Sequence, residues 1–123
     1  MSGFERLSAQ GGSFLTFEGP ATPMHVGAVA IFAAGPLATA GGGLDHARLS
    51  RHVESRLHLL PRYRKRLAFT PIERVPGWID DERFELDFHL RRAALPRMGS
   101  EAALKELVAR IFSQPLYRKG TLW

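Results

Sequence analysis

The sequence predicts an α/β fold, or α+β layers, within one domain. Three observations lead there. Strand-like and helix-like apolar patterns alternate twice along the chain, which is the order of layered α and β elements. The length, 123 residues, leaves room for one domain. Hydrophobic residues make up 45% and charged residues 24%, a globular balance rather than a disordered one.

The first element is His25–Phe32 (HVGAVAIF). Val26, Ala28, Ala30 and Phe32 point one way, and His25, Gly27, Val29 and Ile31 the other. Both sets are largely apolar, as in a strand covered on both faces. Pro23 and Gly35-Pro36 bound it, and residues 37–43 (LATAGGG) read as a small flexible linker. A helix follows, with Asp45 as N-cap and Leu49, Val53, Leu57 and Leu60 as its apolar stripe. Pro61 stops or kinks it near Leu60. The basic stretch 62–67 (RYRKRL) carries no clear conformational signal.

Residues Phe84–Arg92 (FELDFHLRR) alternate cleanly. Phe84, Leu86, Phe88 and Leu90 share one face, and Glu85, Asp87, His89 and Arg91 the other, as in a strand with one buried and one wet face. Gly99-Ser100 opens a second helix, with Glu101 favourable to the helix dipole. Leu104, Leu107, Val108, Ile111 and Phe112 fit the amphipathic template, and Pro115 ends the helix. Leu122-Trp123 reads either as the entry to a further strand or as a terminal pair with Trp123 packed on the core.

Composition narrows the function classes. There is no cysteine, so a disulfide framework, a thiolate metal site and a cysteine nucleophile are ruled out for these residues, and a reducing cytoplasm fits. No apolar run approaches the roughly 20 residues of a membrane span, and the N-terminus lacks the basic-then-apolar order of a signal peptide. The net charge is +5, with eight Lys/Arg against two Glu between Arg48 and Arg74 and near balance elsewhere. Such a segment attracts phosphate-bearing surfaces. Only Tyr63 and Phe69 interleave it, too few rings for a nucleic-acid stacking platform.

No chemical motif is complete. His46, His52 and His58 recur every six residues, which points them to different faces of a helix, and no pair has the i, i+4 spacing of a zinc helix. His25, in an apolar strand, reads as a structural imidazole that needs a hydrogen-bond partner. His89 reads as a wet-face residue, and Asp80-Asp81-Glu82 as a solvated turn rather than a metal site. No serine sits in G-x-S-x-G, and neither glycine-rich phosphate loop is present. Gly41-Gly42-Gly43 reads as plain linker.

Whole phrases nevertheless resemble one family. Leu7-Ser8, Phe14-Leu15 and Glu18, followed by Thr22-Pro23-Met24-His25-Val26-Gly27-Ala28, are similar to the opening of bacterial wax ester synthase/diacylglycerol acyltransferases. The resemblance continues through Leu57, Pro61, Arg62, Arg64 and Leu67, then Trp78 with Asp80 and Asp81, the Phe84–Leu95 segment, and Ser113–Arg118. Two departures stand out. Residues 9–12 read AQGG where the family shows a P-L-D-A-like run, and Thr121-Leu122-Trp123 lacks the proline of the family's P-L-W triplet.

The resemblance implies the N-terminal part of a coenzyme A-dependent, chloramphenicol-acetyltransferase-like acyltransferase subdomain. Its substrates would be fatty acyl-CoA with diacylglycerol or a fatty alcohol, and it would need no cofactor or metal. It further implies that residues 1–123 are a partial domain ending before the family's H-H-x-x-x-D-G motif, since no adjacent His pair occurs. The isolated chain is then expected to be inactive, with no catalytic residue of its own and a C-terminal acyltransferase half as partner. Leu122 and Trp123 match a motif near the family's substrate channel and are channel or packing candidates. The expected location is cytoplasmic, peripheral at a membrane or lipid inclusion, the basic segment helping to hold it there. The alternative is a non-catalytic, truncated homologue that binds lipid or a partner.

Overall fold

A computed structural model describes residues 3–96 and 99–116. Its centre is a small antiparallel sheet of three strands, β1 (Glu5–Arg6), β2 (Lys65–Phe69) and β3 (Pro76–Asp80), in the order β1-β3-β2. Leu67 lies opposite Trp78 in the β2–β3 ladder, and Glu5 opposite Trp78 in the β1–β3 ladder. Pro76 opens its strand, where a missing N–H interrupts least. Gly77 is required by packing: a Cβ there would meet the Phe4 ring at 2.5 Å and the Glu5 carbonyl at 2.8 Å.

Four helices accompany the sheet: α1 (Ala9–Phe17), α2 (His46–Arg56), α3 (Leu86–His89) and α4 (Glu101–Phe112). Three carry side-chain N-caps. Ser8 accepts from the Gly11 N–H at 3.1 Å, Asp45 from Arg48 at 3.0 Å and Ser100 from Ala103 at 3.1 Å. The Asp45 and Ser100 starts are those the sequence predicts. α2 passes into a 3₁₀ turn at Leu57–Leu59, and Pro61 opens another at Pro61–Arg64, so the break falls where the proline dictates. Leu57 and Leu67, 5% and 4% exposed, are the buried hydrophobic residues among those described; Leu60, at the end of the predicted stripe, is 52% exposed.

Both predicted strands are corrected. Residues 25–32 form no strand and, among the described residues, no backbone–backbone hydrogen bond, and Val26, Ile31 and Phe32 are 77–90% exposed. The two-sided apolar pattern says how such a strand would be covered, and in the structure the Phe112 ring lies against Gly27 while the residues after it stay exposed. Residues 84–92 form the short α3 and then irregular chain. Local contacts replace a ladder there: the Leu90 N–H bonds Leu86 at 2.8 Å, the Phe84 and His89 rings stack at 5.3 Å, and the Arg91 guanidinium sits 4.7 Å over Phe88. His89 is therefore a half-buried ring partner and not a wet strand residue.

Residues 37–43, read as a linker, close on themselves. Thr39 N–H bonds the Gly43 carbonyl at 2.7 Å, and Gly42 takes φ +84, which suits glycine. The strands β2 and β3 and the helix α1 carry no strong sequence pattern. α1 holds Gly11-Gly12, poor helix formers, and depends on its Ser8 cap and on tertiary packing. Helix and antiparallel sheet together make a mixed α and β fold. Its accessible surface is 10015 Å², against about 6,600 Å² expected for a folded monomer of this mass.

Candidate functional site

The Ser8 cap sets the start of α1, and its helical period then puts Gly11, Phe14, Leu15 and Glu18 on one face, at i, i+3, i+4 and i+7. That face lines a cavity of about 520 Å³, within the roughly 300–1,000 Å³ usual for small-molecule sites. Leu7 and Ser8 from the turn before α1, Met24 and His25, Arg62, Leu67 of β2, Trp78 of β3 and Leu116 complete most of the wall. Hydrocarbon dominates it: Leu7, Phe14, Leu15, Met24, Leu67, Trp78 and Leu116.

The polar lining is largely committed to holding the wall together. Arg62 pairs with Glu5 at 2.5 Å and lays its guanidinium 4.9 Å over the Trp78 ring. Both members of the ion pair are half exposed, so its net contribution is below about 1 kcal/mol. A Glu18 carboxylate oxygen accepts the Met24 N–H at 3.0 Å and fastens the following segment to the end of α1. His25 Nε2 lies 2.8 Å from the Phe112 carbonyl. A carbonyl can only accept, so Nε2 carries a proton and donates it. Nδ1 is buried and has no hydrogen-bond partner among the described residues. The expected structural role for His25 thus holds at Nε2, while Nδ1 finds no partner among the described residues.

Gly27 explains why this anchor is tight. A Cβ there would lie 2.5 Å from Cε1 of Phe112, so the ring rests directly on the glycine backbone. Chemically the site can enclose an apolar chain.

The other sequence candidates lie elsewhere. His46 bonds Ser50 on α2, at 3.2 Å, while His52 and His58 are exposed. Asp80 pairs with Lys65 at 3.4 Å, and Asp81 caps the turn through Arg83 N–H at 3.0 Å. Among the described residues no group of three or more His, Asp or Glu is placed to hold a metal ion. Leu122 and Trp123 lie outside the described residues.

Sequence reasoning named most of the cavity's residues without bringing them together. Leu7, Ser8, Phe14, Leu15, Glu18, Met24, His25, Arg62, Leu67, Trp78 and Leu116 all come from the phrases that carry the family resemblance. The residues it missed are Glu5, Arg6 and Gly11. Glu5 and Arg6 belong to a two-residue strand too short to leave a periodic signal, and Gly11 sits on a glycine-weakened helix.

Comparison with known proteins agrees. The model of the wax ester synthase/diacylglycerol acyltransferase catalytic domain matches residues 7–123. The Mycobacterium tuberculosis protein tgs3, whose name makes it a diacylglycerol O-acyltransferase, is 41% identical over 119 residues, 96% of this chain and 42% of its own length. Rv1760 of the same organism, named for the same activity, is 34% identical over 120 residues, 97% of this chain and 23% of its own. The chain therefore spans less than half the length of these relatives. No solved structure matches it. The chain belongs to the wax ester synthase/diacylglycerol acyltransferase family.

Proposed function

We propose that this chain is the front portion of an O-acyltransferase that moves a fatty acyl group from acyl-CoA to diacylglycerol or a long-chain alcohol, giving triacylglycerol or wax ester. Its architecture is then part of a chloramphenicol-acetyltransferase-like subdomain, completed by a C-terminal half. The observation that carries this reading is the convergence of the family's scattered phrases on one apolar cavity. A cavity of that lining suits a hydrocarbon chain, because burying apolar surface is favourable by roughly 25 cal/mol per Å² and few polar groups are stranded by it.

In the family the second His of H-H-x-x-x-D-G would take the proton from the alcohol. The alcohol oxygen then bonds to the thioester carbonyl carbon, and the C–S bond breaks with coenzyme A as the leaving thiol. These 123 residues contain no adjacent His pair, so the base would come from elsewhere in the domain. Leu122 and Trp123 are proposed channel or packing residues. No helix among the described residues is long and apolar enough to cross a membrane. The basic segment 48–74 supports a cytoplasmic, peripheral position on an anionic membrane or lipid inclusion. The missing His pair also favours a second reading, a non-catalytic module that binds lipid or a partner.

The test is direct. The purified chain is given radiolabelled palmitoyl-CoA with diolein, and separately a dansyl-labelled undecanoic acid. The expected result is no triacylglycerol, together with binding of the dansyl acid that palmitoyl-CoA displaces and Phe14→Arg weakens at least about tenfold. Triacylglycerol formation, or binding indifferent to Phe14→Arg, would overturn the reading.

A further inference from the structure

We infer that the corner formed by two consecutive 3₁₀ turns, Leu57–Leu59 and Pro61–Arg64, is a membrane-contact surface, where Leu59 and Leu60 enter an anionic bilayer among headgroups drawn by the neighbouring cations. This rests on the peripheral position proposed above. It adds the face that touches lipid, and an apolar contact beside the electrostatic one.

Both components lie in one stretch of sequence. From Ser55 to Ile72, between Glu54 and Glu73, there are five Lys or Arg and no Asp or Glu. The fold then sorts the apolar residues. Leu57, 5% exposed, turns inward and fixes the end of α2. The Leu60 N–H bonds the Leu57 carbonyl and the Tyr63 N–H the Leu60 carbonyl, each at 3.0 Å, so both turns are closed. In a continued 3₁₀ helix Leu60 would eclipse Leu57 and follow it inward. Leu60 instead takes φ −129 and ψ 68, outside the helical region, because Pro61 comes next. Leu59, Leu60 and Tyr63 end 62%, 52% and 42% exposed.

The charges beside them are held in place. The Arg62 guanidinium lies 4.9 Å over the Trp78 ring and that of Arg64 5.2 Å over the Phe84 ring, while Arg56 ends α2 exposed. Leucines flanked by long basic side chains suit the headgroup layer, since hydrocarbon goes in and guanidinium stays with phosphate. A surface made for a protein partner loses charge at its core, whereas Arg56, Arg62 and Arg64 crowd this one. Arg62 also lines the apolar cavity, so the corner adjoins the place proposed for the hydrocarbon chain.

The experiment is cosedimentation of the 123-residue chain with vesicles of phosphatidylglycerol and phosphatidylcholine, and with phosphatidylcholine alone. Binding should need the anionic lipid and weaken in molar salt. The double substitution Leu59→Asp, Leu60→Asp should weaken it at least about tenfold. The melting midpoint should not move, since both side chains are exposed, and Ile111→Asp, at a comparably exposed position (57%), should leave binding unchanged. The chain has no cysteine, so Leu59→Cys accepts a single NBD dye, whose emission should shift to the blue on the anionic vesicles. If the double variant does not fold, the dye decides. No binding to anionic vesicles, binding indifferent to the double substitution, or a dye left in water while the chain is bound would overturn the inference. So would a midpoint lowered by the double substitution in a chimera in which these residues replace the matched segment of tgs3, which marks the rest of the domain as the cover. A chimera that binds vesicles through the leucines but forms no ester supports the contact and counts against the proposed activity. One that forms ester while its binding ignores the double substitution does the reverse.

Discussion

Gly27→Ala puts the anchor of the 24–27 segment to a quantitative test. Carbon atoms pack at roughly 3.5–4.0 Å, whereas the added Cβ would stand 2.5 Å from Cε1 of Phe112. About 1 Å must be found. The ring can swing away from the segment, or the segment can lift and stretch the His25–Phe112 hydrogen bond of 2.8 Å. Overpacking of this kind costs about 1–3 kcal/mol, and losing the hydrogen bond about 1 kcal/mol. Against this, Ala lowers the entropy of the unfolded chain and so gains about 0.4–1 kcal/mol wherever it fits. The contact wins on these magnitudes, and the net loss should be about 1–2 kcal/mol. Gly12→Ala makes the control, since its Cβ would meet nothing within 4 Å and it lies within α1. It should stabilise by about 0.5–1 kcal/mol. Urea unfolding followed by far-UV circular dichroism measures both. If Gly27→Ala proved as stabilising as Gly12→Ala, the ring-on-backbone contact would not exist.

Three further outcomes are expected. Leu67→Ala empties a buried site beside Trp78 and should lower stability by about 2–5 kcal/mol, measured by urea midpoint, while exposed Leu60→Ala changes it by less than about 0.5 kcal/mol. Asp45→Ala and Ser100→Ala each remove one N-cap and should cost about 1 kcal/mol, read as lost helicity and a lower melting midpoint; an unchanged midpoint for both would show that packing alone fixes these helix starts. Glu5→Gln breaks a half-exposed ion pair and should shift stability by less than about 1 kcal/mol, with the difference fading in 1 M salt.

The helices were the legible part of this fold because their signals are local. Asp45 and Ser100 bond amides three residues ahead, and the stripes Leu49/Val53/Leu57 and Leu104/Leu107/Val108 lie on their own helices. Strands depend on neighbours, and an alternating sequence says nothing of whether one exists. Residues 25–32 carry the pattern without a partner, and residues 84–92 instead satisfy their rings and carbonyls within a few positions. The real sheet was hidden for the opposite reason. β3 begins Pro76-Gly77, a pair that reads as a turn, and its glycine makes sense only once Phe4 is seen lying on it.

The site shows the same division. Each residue phrase that marks the family is visible in the sequence, but their meeting on one cavity depends on β1, α1 and the β2–β3 hairpin, none of which announces itself. His25 was legible as a structural imidazole through its apolar setting. Which carbonyl it bonds, and that its second nitrogen finds no partner among the described residues, follow from an 87-residue separation that no local pattern encodes.

The central claim is that these residues serve as one portion of a lipid-esterifying domain. The most direct measurement replaces the matched segment of tgs3 with residues 1–123 and assays the purified chimera with radiolabelled palmitoyl-CoA and diolein. Triacylglycerol should accumulate in proportion to chimera concentration, while the 123-residue chain alone gives none. A folded chimera that leaves the thioester intact, alongside a parent tgs3 that consumes it, would contradict the account.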